Sequence, residues 1–208
     1  MTTTFITGAN KSLGYETARR LIEAGHTVLV GARDPERGQA AADVGAREGG
    51  IDVLINNAGV LGTHSLADQI TAADASEVFE VNVVGIVRVT HAFLPLLRKS
   101  ASPVIVNVSS GMGSFAATHD AGRVEGRAIA PLYTASKAAV TMLTTQYAKS
   151  WPDVKVNAAD PGYTATDFNG HSGPQTVTEG TDAIVELATI GADGPTGTFR
   201  DRHGEMPW

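Results

Sequence analysis

The chain predicts an α/β fold, a doubly wound parallel sheet with helices on both faces. Two observations predict it. Short runs of β-branched and aliphatic residues alternate with longer helical patterns, as expected for strands joined by crossover helices. The first strand leads through a glycine-containing turn into a helix, which is how a nucleotide-binding βαβ unit opens. With 208 residues, 42% of them apolar and 18% charged, the chain suits a single domain, residues 1–208, with a substantial core.

Residues 3–7 (Thr-Thr-Phe-Ile-Thr) read as a short buried strand. Gly8-Ala9-Asn10-Lys11-Ser12-Leu13-Gly14 follows, and then a helix with Leu13, Thr17, Ala18, Leu21 and Ile22 on one face, ending at Gly25. Residues 27–31 form the second strand. In such a unit the turn must let the backbone approach a pyrophosphate, which then sits at the positive end of the helix. After the second strand an acidic residue would accept from the ribose 2′-hydroxyl of NAD. This chain has Ala32-Arg33-Asp34 instead, with Lys11 in the phosphate turn. Arginine pairs bidentately with a 2′-phosphate and Lys11 adds a second positive charge, so NADPH is the expected cofactor.

Residues 35–48 read as one helix, with proline at its first position, and residues 51–55 as a buried strand ending in Asn56-Asn57-Ala58-Gly59. Only 20 residues separate Val30 from Ile51. One crossover takes at least about 10–12 residues, so two crossovers and a strand do not fit. A single helix is expected to carry the chain from the second strand to the next.

Residues 72–99 carry a long helical pattern with Pro95 near its end. Residues 104–108 form the next strand, leading into Ser109-Ser110-Gly111, and residues 113–129 are loop-like and polar. A helix through Tyr133 and Lys137 runs to about residue 150, and residues 154–158 form a strand before Asp160-Pro161-Gly162-Tyr163-Thr164-Ala165-Thr166. A helix over residues 178–190 and a short strand over 197–200 complete a sheet expected to be parallel.

The formal net charge of −6 argues against a nucleic-acid or anionic-membrane surface. No cysteine is present, so there is neither a disulfide framework nor a thiolate metal site. The first residues lack a basic region followed by an apolar one, and no apolar run reaches 18 residues. A cytoplasmic protein is expected. His119 and His171 fall in loops and read as surface histidines, and no cluster has metal-ligand spacing.

Tyr133 and Lys137 are four residues apart, hence on one face of a helix. A phenol loses its proton near pH ~10, and a neighbouring ammonium lowers that value. Such a pair can pass a proton to or from an alcohol or carbonyl oxygen.

These pieces together resemble the short-chain dehydrogenase/reductase family over nearly the whole chain, which implies a Rossmann-like fold. The family's Thr-Gly-x3-Gly-x-Gly turn is similar to Thr7-Gly8-Ala9-Asn10-Lys11-Ser12-Leu13-Gly14, with Ser12 in the place of the middle glycine. Its Asn-Asn-Ala-Gly motif is intact at Asn56, Asn57, Ala58 and Gly59. Asn82, Ser110, Tyr133 and Lys137 match its catalytic four, and Pro161-Gly162, with Thr164 and Thr166, matches the turn that brackets nicotinamide. Asn-Lys in the first turn, Gly-Ala-Arg-Asp after the second strand, and the 22 residues between Ser110 and Tyr133 resemble NADPH-dependent carbonyl reductases. In that type the insertion covers the surface other members use to pair, so a monomer or a homodimer is expected. The family also has a strand-helix unit that nothing between Arg33 and Ile51 matches, so the sheet is expected to lack it.

The resemblance implies hydride transfer between nicotinamide and the carbonyl carbon of a small molecule. Tyr133 would protonate the developing alkoxide, Lys137 would hold the ribose and lower the Tyr133 pKa, and Ser110 would donate to the substrate oxygen. Asn82 would anchor a water linking Lys137 to solvent. Gly8, Asn10, Lys11, Ser12, Leu13, Gly14, Arg33, Asn57, Ala58 and Gly59 would hold the cofactor, with Tyr133, Lys137, Pro161, Gly162, Thr164 and Thr166. Met112, Phe115, Tyr163 and Trp208 are candidates for an apolar substrate pocket suited to a ketone, aldehyde or quinone. The rival from another class is a non-catalytic NADPH-binding sensor or scaffold.

Overall fold

The structure is a computed structural model that describes residues 1–31, 49–62 and 67–208. The helix expected over residues 35–48, the unmatched unit after Arg33, and Arg33 itself lie outside the described residues.

Among the described residues, seven strands form one sheet: β1 (Thr3–Thr7), β2 (Thr27–Gly31), β3 (Val53–Asn56), β4 (Val104–Val108), β5 (Lys155–Ala159), β6 (Phe199–Asp201) and β7 (Gly204–Glu205). Their order is β2-β1-β3-β4-β5-β6-β7. The first six are parallel and β7 is antiparallel to β6. The expected all-parallel sheet is corrected at this end. Asp201 Oδ1 accepts from the backbone N–H groups of His203 (2.7 Å) and Gly204 (3.0 Å), so a two-residue turn folds the chain back.

The central strands are buried on both faces, so they read as continuous apolar runs. Register sorts them into two layers. Phe5, Leu54, Ile105 and Val156 align across the sheet and pack with Phe93 and Leu97. Ile6, Ile55 and Val106 face the other way and pack with Ala18, Leu21, Ala183, Ile184 and Leu187. Those partners come from α1 (Ser12–Glu23) and a later helix over Asp182–Ala188 on one face, and from a long helix over Ala72–Leu97 on the other.

That long helix consists of α2 (Ala72–Phe79), a π-helical turn (Glu80–Val84) and α3 (Gly85–Leu97). It is long and apolar enough by composition to cross a membrane. Here it is a layer of the fold, burying Val78, Ile86, Phe93 and Leu97. After β4 come a short α4 (Phe115–Thr118) and then α5 (Pro131–Ser150), which starts on proline at its first position. The helix expected over residues 178–190 is two pieces, α6 (Val177–Gly180) and α7 (Asp182–Ala188), joined at Thr181. Arg20 of α1 holds that joint, donating to Thr178 O, Thr181 Oγ1 and Asp182 Oδ1.

Two features place the site. β2 lies on one side of β1 and β3 on the other, so the chain reverses direction there and leaves a crevice at the carboxyl ends of β1 and β3. Beneath it runs a buried polar ladder: Asn56 Nδ2 donates to Asn107 Oδ1 (2.9 Å) and Thr90 Oγ1 (3.2 Å), and Asn107 Nδ2 donates to Thr144 Oγ1 (2.9 Å). Asn56 and Asn107 are register partners of β3 and β4.

Candidate functional site

The crevice opens into a cleft of about 1420 Å³ whose walls carry the turns after β1, β3, β4 and β5 together with α5. Every catalytic candidate except Asn82 lines it, and Asn82 lies directly behind it. Of the cofactor-binding candidates, Gly8, Asn10, Lys11, Ser12, Leu13, Gly14, Asn57, Ala58, Gly59, Pro161, Gly162, Thr164 and Thr166 line it as well.

The first turn is shaped by close approach. Gly8 has φ +66°, and a Cβ on Gly14 would meet Gly8 O at 2.5 Å and Asn57 Nδ2 at 2.6 Å. Ser12 has φ +49°, in the left-handed region that glycine adopts freely and serine does not. The serine therefore fits the turn, at a backbone cost. Lys11 occupies the cap position of α1 and supplies no side-chain cap, so the first N–H groups of α1 point at the cleft without one. A cradle that a Cβ would fill, at an uncapped helix N-terminus, fits a dinucleotide pyrophosphate.

Thr7, absent from the sequence-based candidates, locks this turn to the next. Its Oγ1 accepts from the backbone N–H of Asn57 (2.9 Å) and of Ala58 (3.0 Å), while Asn57 Nδ2 donates back to Thr7 O (2.9 Å) and Gly8 O (3.1 Å). The signal available in the sequence was a hydroxyl residue at the last position of a buried strand.

Asn82 sits in the π-helical turn and is fully buried. Its Oδ1 accepts from Val60 N (2.8 Å), and its Nδ2 donates to Val60 O (2.9 Å) and Ser136 Oγ (3.0 Å). Ser136 Oγ in turn donates to Tyr133 O (2.7 Å). Asn82 thus fixes the segment after Gly59 and α5 to one another.

Tyr133 and Lys137 stand one turn apart on α5, with Nζ 5.6 Å from the phenol ring centroid. Lys137 is buried, and its Nζ donates to Val108 O at 2.8 Å. Burial pulls its pKa down to about 8, against the opposing charge of Asp160. The Tyr133 phenol is pushed above its ordinary range by burial, opposed by a hydrogen bond with Ser110, and Asp160 pushes it further up. The Tyr133 pKa is therefore raised rather than lowered as expected, because burial dominates and the opposing influence is the Ser110 hydrogen bond, not the Lys137 charge. Ser110 faces Tyr133 and also caps the following turn, its Oγ accepting from Met112 N at 3.2 Å.

The expected apolar pocket is differently made. Phe115 is exposed, Trp208 stacks on Phe199 at 5.6 Å, and Tyr163 lines a second cavity. Neither they nor Met112 line the cleft. Phe168 does, its ring 5.5 Å from that of Tyr133. His119 and His171 are exposed surface residues, as expected, and no metal-ligating group is found among the described residues.

The short chain dehydrogenase family model matches residues 39–176. A short-chain dehydrogenase of Penicillium roqueforti is 34% identical, over 90% of this chain and 88% of that protein. The (-)-isopiperitenone reductase of Mentha piperita is 29% identical over 95% of each. Among solved structures, NADPH-bound carbonyl reductase from chicken fatty liver superposes with a TM-score of 0.85 at 26% identity, covering 99% of this chain and 98% of that one. The order of the sheet, the crevice between β1 and β3 and the motifs that line it agree with these matches, and the chain belongs to the short-chain dehydrogenase family of oxidoreductases.

Proposed function

We propose that the protein reduces the carbonyl group of a small apolar ketone, aldehyde or quinone, using NADPH, with Tyr133 as the proton donor. The observation that carries this reading is the convergence of Tyr133, Ser110 and Lys137 on one point of a cleft whose far end is the uncapped N-terminus of α1. The bound nicotinamide supplies the hydride. Ser110 donates a hydrogen bond to the substrate oxygen as negative charge develops there, and Tyr133 passes its phenolic proton to that oxygen. The elevated phenol pKa keeps Tyr133 protonated at neutral pH, the form that reduction requires. Lys137, charged below about pH 8, stabilises the phenolate left behind and would hold a ribose hydroxyl of the cofactor. Asn82 holds the helix in place.

The choice of NADPH over NADH rests on Lys11 at the cleft mouth, Arg33 in the sequence, and the likeness to an NADPH-bound reductase. An apolar substrate suits Phe168 beside Tyr133. The test is NADPH oxidation against a panel of ketones, aldehydes and quinones, with NADH in parallel and Tyr133→Phe as the control. Turnover with NADPH that Tyr133→Phe abolishes while still binding cofactor supports the reading. Cofactor binding without turnover on any carbonyl would replace it with a sensor.

A further inference from the structure

Lys137 carries a buried ammonium, and none of the ion pairs among the described residues includes it. Its Nζ is held by a neutral acceptor, Val108 O. Val108 is the register partner of Ala159 across β4 and β5, so the next residue along, Asp160, lies beside the same point of the sheet. Asp160 is only 4% exposed.

Its carboxylate is committed to the two turns that carry the chemistry. Oδ1 accepts from Gly162 N at 2.9 Å, and the Gly111 N–H donates to the same carboxylate. A Cβ on Gly111 would meet Glu125 Oε1 at 2.5 Å and Asp160 Oδ2 at 3.0 Å, so the missing side chain lets the turn approach both carboxylates. The backbone of the segment is fixed on both sides, Ser109 N donating to Ala159 O and Asp160 N to Arg200 O, each at 2.8 Å. One carboxylate therefore joins the turn beginning at Ser110 to the turn bracketing the nicotinamide position.

We propose that Asp160 is a positioning residue for the reductase reaction, acting as the buried counter-charge of Lys137 and as the clamp between the Ser110–Gly111 and Pro161–Gly162 turns. The inference rests on the reading of the site as a carbonyl reductase. Nothing in the reaction touches Asp160; it acts through Lys137 and through the backbone. The charged and titratable groups around it are Lys137 and Tyr133 from α5, Glu125 and Arg123 from the loop before it, Asp201 from β6, and Arg202, His203 and Tyr163, which line a cavity that Asp160 borders. Arg123 engages Glu125 through two hydrogen bonds, at 3.1 and 3.3 Å, and its charge also acts on Asp160. That cavity, of about 330 Å³, is lined also by Arg123, Glu125 and Asp201. Burial, with Glu125 and Asp201 adding to it, raises the Asp160 carboxyl to about 6 despite the two N–H donors. The group is thus ionised when Lys137 must be charged, and neutral in mild acid.

The test is a pH titration of the lysine side-chain ¹³C resonances in full-length protein, with the Lys137 signal assigned by its loss in Lys137→Met. In wild type the Lys137 signal should show a small inflection near pH 6 as Asp160 titrates, followed by its own step. In Asp160→Asn the first inflection should vanish and the Lys137 step should move down by about one pH unit. The alkaline limb of the rate of carbonyl reduction should move with it, whereas Asp201→Asn should leave both in place. A Lys137 titration identical in Asp160→Asn and wild type overturns the proposal. So does the absence of the inflection in wild type, which decides the matter even if the variant fails to fold. Absence of carbonyl turnover in wild type would sink the reductase reading instead, while the lysine titration still judges the counter-charge.

Discussion

Lys11 and Asp167, 156 positions apart in sequence, meet at 3.0 Å across the mouth of the cleft. Asp167 also faces His171 Nε2 at 3.0 Å, so the residue expected to greet a phosphate is engaged from the opposite wall. Lys11 in turn holds the Asp167 carboxyl below its ordinary range. Both side chains are half or more exposed, so the pair adds little to stability. Its effect is on what else Lys11 can bind. Asp167→Asn should tighten NADPH binding by about threefold at low ionic strength, with the gain disappearing in high salt. Fluorescence titration at two salt concentrations checks this; weaker binding would show that Asp167 helps to hold the cofactor.

Thr7 offers a sharper stability test. One hydroxyl oxygen serves two backbone N–H groups, those of Asn57 and Ala58. Thr7→Val keeps the shape and strands both donors, which should cost about 2 kcal/mol. Thr7→Ser should recover most of it. Denaturant unfolding of the three proteins measures the difference, and NADPH affinity should fall in the valine variant alone.

Ser12 is strained where the rest of the turn is relaxed. Its φ of +49° carries a left-handed penalty of about 1 kcal/mol, partly offset in glycine by the freer unfolded chain. Ser12→Gly should therefore stabilise the protein by a few tenths to about 1 kcal/mol. A lower unfolding midpoint would show that the hydroxyl makes a compensating contact.

The pH dependence follows from Lys137. Its folded-state value, about 8, lies below that of an ordinary lysine, so the ammonium is present at neutral pH and lost as pH rises through 8. The rate of carbonyl reduction should be level below that point and fall about tenfold per unit above it. An unchanged rate at pH 9.5 or higher would mean that the charge on Lys137 does not assist proton transfer.

Much of this site was legible from residue order. β1, β2 and β4 fall where their apolar runs predict, and thirteen of the positions expected to bind cofactor line one cleft beside Ser110, Tyr133 and Lys137. What the sequence hid was of two kinds. Contacts between distant segments, such as Lys11 with Asp167 and Phe168 with Tyr133, arise from folding rather than from local pattern. The electrostatic setting was also hidden: spacing correctly placed Lys137 beside Tyr133, but only the folded surroundings show that desolvation raises the phenol. The reversal into β7 did have a local signal, the Asp201-Arg202-His203-Gly204 turn, which the reading of a parallel sheet passed over.

The amide ladder beneath the cleft has a consequence for how the chain reaches this state. Asn56, Asn107 and Thr144 hydrogen-bond to one another only when β3, β4 and α5 meet in one register. A slip of one residue turns each side chain to the opposite face, setting amides against aliphatic neighbours and stranding their donors. Mispaired intermediates are thus penalised at the very layer that forms the cleft floor. A molecule that has folded at all has aligned the ends of β3 and β4, and with them Asn57 and Ser110, so assembly of the site is not a separate step that a folded chain can omit.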